Sequence, residues 1–240
     1  MARRPRQPAR PAGNPASSPS GAGGTPTSAR DKVIAALLAL LTEKSIEQIG
    51  LEEIAEEAGL SLADLRDAFS SPLAIVAAYL KDVDRAVLAA DFSDMAEEPV
   101  RERLFDVLMR RLETMAPHRD AIRSLVRSAR RNPPLALALN RLAVRSQKWM
   151  LTAAGIRASG PRGALHAQGL AVLFSSVVDT WARDDDPGLA RTMAALDRAL
   201  ARGQRFVGYL DDLCFIPSRL CRLRPRRRRR DDDSEEAAVA

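Results

Sequence analysis

Few residues in this chain are of the kinds that make and break bonds, and their spacing argues against such a role. His118 and His166 have no Cys and no paired acids at ligand spacing beside them, so they do not make a metal site. Cys214 and Cys221 are too few for a disulfide framework, form no C-x-x-C pair, and fit a reducing compartment. The run Asp184-Asp185-Asp186 could hold a hard cation. It stands just before Pro187 at a predicted helix start, however, where exposed N–H groups favour acids, and is read as a cap. No G-x-S-x-G elbow and no phosphate-cradling glycine loop is present. Nothing points to an enzyme or to a cofactor, which leaves recognition as the chemistry to look for.

The stretch that can recognise something is Leu51 to Phe69, LEEIAEEAGLSLADLRDAF. Ile54, Ala55, Ala58, Gly59, Leu60, Leu65 and Phe69 recur at a spacing that predicts two short helices with a tight bend, each giving its apolar face to one small core. Any helical hairpin would need the same features, but the spacing fits a helix-turn-helix. Ala55 is small where the helices would cross, and Gly59 can end the first helix in the left-handed conformation. Ser61 then caps the second helix, with Asp64 three residues on in a capping-box pattern.

The remaining pattern is helical throughout, and the fold class expected is all-α. Residues 1–27 are rich in Pro, Gly, Ser and Arg and read as a disordered basic arm. Ser28 or Thr27 should cap a first helix with Val33, Ile34, Leu37, Leu38 and Leu41 on one face, completing a head over 28–75. After Ser70 or Ser71, Pro72 opens a linker helix carrying Ile75, Val76, Tyr79, Leu80, Val83, Val87 and Leu88. A helical body over 76–203 follows. In it, the stretch 163–182 is nearly uncharged and is expected to be buried on most of its circumference, and 189–201 is expected as a separate amphipathic helix. Trp149, Met150, Leu170, Phe174, Val177, Val178, Trp181 and Met193 could line an apolar cavity, although each is also ordinary core filling.

The net charge of +6 is unevenly placed. Residues 1–30 hold five Arg and no acid, residues 219–240 hold eight Arg and five acids, and the stretch between, 31–218, is left at −2. The basicity therefore belongs to the ends, and is weak support for nucleic-acid binding by the body. No run is long and apolar enough for a membrane span, and no secretion signal core follows the first Arg residues. The end of the chain, 204–240, pairs a predicted amphipathic helix with a five-Arg run at 226–230. Phe206, Leu210, Leu213 and Phe215 would be its membrane-facing residues if it lies on anionic lipid; a helix docked on its own body, followed by a solvated tail, is the other reading.

A capped first helix, the IAEEAGLS stretch with Leu65 and Phe69 after it, a linker helix and a larger helical remainder together resemble the TetR family of transcriptional regulators. That resemblance implies a homodimer whose second short helix, here Ser61, Leu62, Ala63, Asp64, Arg66 and Asp67, enters the DNA major groove. It also implies a body that holds a small apolar ligand and releases DNA when filled, and a cytoplasmic protein. Family members usually carry Tyr at the position of Arg66, an aromatic or His at Ala68 and Lys at Pro72. Here the Tyr and Lys are gone, and residues 31–72 hold three cations against nine acids. Positive charge would have to come from Arg66 and the N-terminal arm.

The second half is similar to another group. Trp149-Met150, then Asp179-Thr180-Trp181-Ala182-Arg183-Asp184-Asp185-Asp186-Pro187, then Thr192 and Leu196-Asp197-Arg198 resemble the C-terminal domain of the lipid-binding accessory proteins of ubiquinone biosynthesis. This resemblance implies an isoprenoid or other apolar lipid as ligand, a head no longer serving DNA, and peripheral contact with the inner face of a membrane.

Overall fold

The computed structural model describes residues 28–90, 95 and 97–214, with side chains described as far as Arg205 in the last helix. The arm over 1–27, Phe215 and the run at 226–230 lie outside the described residues. Among those described, every regular element is helical. The α-helices are α1 Ala29–Glu43, α2 Leu51–Ala58, α3 Leu62–Ala68, α4 Pro72–Leu88, α5 Val100–Met115, α6 Arg119–Arg131, α7 Pro133–Ala153, α8 Gly160–Trp181 and α9 Ala190–Cys214.

Local chemistry explains most of the boundaries. The Ser28 hydroxyl accepts from Asp31 N at 3.2 Å while the Asp31 carboxylate takes Ser28 N, the reciprocal box that starts α1. Gly59 ends α2 at φ +62°, where a Cβ would be strained. Ser71, not Ser70, caps α4 by accepting from Ala74 N at 3.2 Å. Asn132 caps α7 through Leu135 N at 3.1 Å, and Pro133 occupies the first helical position, where no N–H is needed.

The apolar faces meet in one continuous core that runs from Leu37, Ile54 and Leu65 through Ile75, Leu108 and Leu112 to Met150, Trp181 and Leu196. Head and body are further tied by polar contacts. Arg30 of α1 pairs with Asp82 of α4 at 2.7 Å, the Ser124 hydroxyl of α6 donates to Lys44 O at 3.1 Å, and Asn132 Nδ2 donates to Glu47 Oε1 at 3.2 Å. Helix α7 thus starts beside Glu47 of the head, and its 21 residues run roughly 30 Å along the body. Helix α8 returns, and α9 runs outward again.

Two expectations are corrected. The segments 189–201 and 206–214 form one helix, α9, without a break. Gly203 lies within it, and a Cβ there would stand 3.0 Å from Leu173 Cδ1, so the bare glycine serves the approach of α9 to α8. Helix α8 is also less enclosed than its composition suggests. Gly163, Ala167, Leu170, Phe174, Val177 and Trp181 face the core, but Leu165 is 47% and Val172 56% exposed on the opposite side.

Candidate functional site

Helices α2 and α3 form the expected pair of short helices. Ile54 and Ala55 of α2 and Leu65 of α3 are buried against α1, and their burial fixes which side of α3 faces outward. Ser61 and Asp64 are spent on the cap: Asp64 N donates to Ser61 Oγ at 3.1 Å, and the Ser61 hydroxyl donates to Asp64 Oδ2 at 2.7 Å. Leu62, Ala63, Arg66 and Asp67 are exposed, as is Ala68. A short, rigidly seated helix therefore presents a small, mixed polar and apolar surface with one cation.

The electrostatics around it are acidic. Glu52, Glu56 and Glu57 of α2 are exposed, while Glu53 pairs with Lys44, whose ammonium is held above its ordinary pKa by that hydrogen bond. Between the head and α6 lies a polar cleft of about 790 Å³ lined by Lys44, Glu47, Arg123, Arg127, Arg131 and Asn132, among others. Glu47 is kept ionised below the ordinary carboxylate value, chiefly by a backbone N–H and then by Asn132, Ser128 and Ser45. This cleft lies at one of the contacts between the body and the head.

The eight residues expected around an apolar cavity separate into two groups. Met150, Leu170, Phe174, Val177 and Trp181 are buried together in the core, with Val178 half-buried beside them. Trp149 and Met193 do not join them, being 55% and 39% exposed. One residue step turns a helix by about 100°, so with Met150 facing the core Trp149 must look out. Trp149 instead borders a surface cleft of about 580 Å³ at the corner between α7 and α8.

The aspartate run behaves as a cap. Asp184 accepts from Thr192 N at 2.9 Å and from its hydroxyl at 2.7 Å, and Asp186 accepts from Gly188 N and Ala190 N, both at 3.1 Å. The Thr192 hydroxyl, ahead of other causes, draws the Asp184 pKa below its ordinary value. Arg119 and Arg123 of α6 close the neighbouring end of α8, donating to Asp184 O at 2.7 Å and Ala182 O at 2.6 Å. The Arg119 guanidinium also stands 4.9 Å from the centre of the Trp181 ring. None of this clamp was visible in the sequence except as a row of arginines every fourth residue on α6.

Among the described residues no group of three or more His, Cys, Asp or Glu could hold a metal ion, and no helix is long and apolar enough to cross a membrane. Phe206, Leu210 and Leu213 fall on the last turns of α9, beyond the described side chains.

No protein-family model matches the chain, and no curated protein matches it in sequence. Solved structures do resemble it. A TetR transcriptional regulator from Nitrosomonas europaea superposes with a TM-score of 0.56 at 19% identity, covering 73% of this chain and 97% of that one. Another from Rhodococcus sp. RHA1 gives a TM-score of 0.51 at 20% identity, covering 73% and 95%. With the head, the linker helix and the helical body arranged as in those two proteins, this chain has the fold of TetR-family transcriptional regulators.

Proposed function

We propose that this protein is a DNA-binding transcriptional regulator of the TetR type, acting by binding rather than by catalysis. The observation that carries the proposal is the presentation of α3: Leu65 and the Ser61–Asp64 cap fix the helix, and Leu62, Ala63, Arg66 and Asp67 are left free to face a major groove. The four Arg of residues 1–27 supply phosphate-neutralising charge that the acidic head lacks. A homodimer is supported by the uncovered side of α8, where Leu165 and Val172 stand exposed with Gly169 and Ser176 between and beyond them, a face suited to a second copy. Control by a largely apolar ligand is supported by the body's interior. There Tyr79 OH, Gln147 Oε1 and Trp181 Nε1 are buried with no hydrogen-bond partner among the described residues. Native mass spectrometry of the purified protein, followed by a gel shift with and without the extracted compound, tests this reading. A bound apolar molecule that weakens a protein–DNA complex supports it; a DNA complex indifferent to every extracted compound removes ligand control.

A second reading is favoured by the charge of the head. Residues 31–72 carry nine acids against three cations, and Pro72 stands where Lys usually meets a phosphate. On this reading the chain is a lipid-binding accessory protein of ubiquinone biosynthesis with a vestigial helix-turn-helix, meeting a membrane through Phe206, Leu210, Leu213 and Phe215. A co-purifying quinone or isoprenoid lipid, with no preference among DNA sequences, would select it.

A further inference from the structure

Between Asp120 and Asp179 the chain holds nine Arg and Lys residues and not one Asp or Glu. The stretch spans α6, α7 and most of α8, and at its edges Arg123 pairs with Asp120 and Arg130 with Asp179. The outward side of α7 carries part of that charge, and its far end adds an aromatic ring. At the corner where α7 turns into α8, Arg145, Lys148, Trp149, Ile156 and Arg157 line the 580 Å³ cleft, with no acid among its lining residues. Arg145, Lys148 and Arg157 are exposed and form no ion pair among the described residues, and the Trp149 ring is more than half exposed. A cation trio with no counter-charge around an exposed indole and an apolar floor is complementary to an anionic, amphiphilic surface.

We infer that this corner is a docking surface for an anionic lipid bilayer, with Trp149 seated at the interface and Arg145, Lys148 and Arg157 among the head groups. One feature favours a bilayer over nucleic acid. A single ring over an apolar floor is the arrangement of an interfacial anchor rather than a row of stacking platforms.

The path of α9 points the same way. Gly203 touches Leu173, so the antiparallel helices bring Cys214 level with the start of α8. The sequence then supplies eight further Arg between residues 219 and 230, outside the described residues. A basic corner and a basic segment in one chain supply the paired signals that reversible binding to anionic lipid requires. The inference is independent of whether the head binds DNA.

The two tryptophans make the test specific, because Trp181 is fully buried and Trp149 is not. Full-length protein is mixed with phosphatidylcholine vesicles, with and without phosphatidylglycerol, while emission and co-sedimentation are followed. Emission should move to shorter wavelength and be quenched by brominated acyl chains on the anionic vesicles only, and Trp149→Phe should abolish the response. Neutralising the trio together (Arg145→Gln, Lys148→Gln, Arg157→Gln) should lower partitioning by roughly a hundredfold at unchanged helicity. Sedimentation with no change at Trp149 would overturn the inference by placing all binding in the C-terminal residues. Partitioning equal to wild type in the neutralised protein would overturn it too, as would a Trp149 response to an oligonucleotide but not to vesicles.

Discussion

Asp84 of the linker helix α4 and Arg111 of α5 form an ion pair inside the body, and the Ser146 hydroxyl of α7 donates to the same carboxylate at 2.5 Å. Three helices are thereby pinned at one buried point, on the helix that joins the head to the body. Removing one partner leaves the other charge buried and unpaired. Asp84→Ala should therefore cost about 3–5 kcal/mol of unfolding free energy, measured by urea denaturation. Replacing both, as Asp84→Leu with Arg111→Met, should restore most of that loss; a double variant as unstable as the single one would mean that packing, not charge, sets the cost.

The cap on α3 is the second point at which a small change has a defined effect. Ser61→Ala removes the acceptor for Asp64 N and should destabilise the protein by about 1 kcal/mol. Ser61→Asp, which keeps an acceptor at the cap, should cost less. Thermal denaturation of the two variants separates the loss of the cap from any general disturbance of the head.

Much of the head was legible in the sequence because its signals are local. The Ser28 and Ser61 boxes, Gly59 at positive φ and the buried set Ile54, Ala55 and Leu65 each depend on residues within a few positions of one another. The body was legible as helices but not as an assembly. The segments 189–201 and 206–214 read as two helices until they are seen to be one, and Trp149 reads as a companion of Met150 until the helix phase is fixed by packing. The Asp84–Arg111 pair and the hold of Arg119 and Arg123 on the end of α8 join residues 27 or more apart, and no periodicity announces such partners.

Tyr79 and His118 meet edge to face with ring centres 5.4 Å apart, and burial acts on both in ways that limit stability at the two ends of the pH range. Burial holds His118 below its ordinary value of 6.5, so below that pH the unfolded chain binds the proton more readily and stability falls as pH drops. Burial pushes Tyr79 up to about 12 from 10.0, so above pH 10 the unfolded chain loses its proton first and stability falls as pH rises toward 12. His118→Gln should flatten the acid limb and Tyr79→Phe the alkaline limb of a plot of urea midpoint against pH. An unchanged acid limb in His118→Gln would assign that limb to the carboxylates instead.

The turn between α8 and α9 depends on Asp184, which is 1% exposed and accepts both donors of Thr192. Asp184→Ala leaves Thr192 N and its hydroxyl buried without a partner and should cost about 1–3 kcal/mol. Because the Asp184 pKa is lowered on folding, its contribution is present above the ordinary carboxylate value of 3.8 and is lost as pH falls through the depressed one. Hydrogen exchange at Thr192 N should accelerate in this variant well before exchange in α1 does.

The measurement that bears most directly on the proposed function is selection of genomic DNA fragments by the purified full-length protein at low salt, where phosphate contacts are strongest. The helix-turn-helix reading expects a small set of enriched fragments sharing a two-fold symmetric motif, with half-sites about one helical turn apart. Arg66→Ala should reduce that enrichment while leaving the fold intact. Recovery of fragments in proportion to the input, with no shared motif and no difference between wild type and Arg66→Ala, would contradict it.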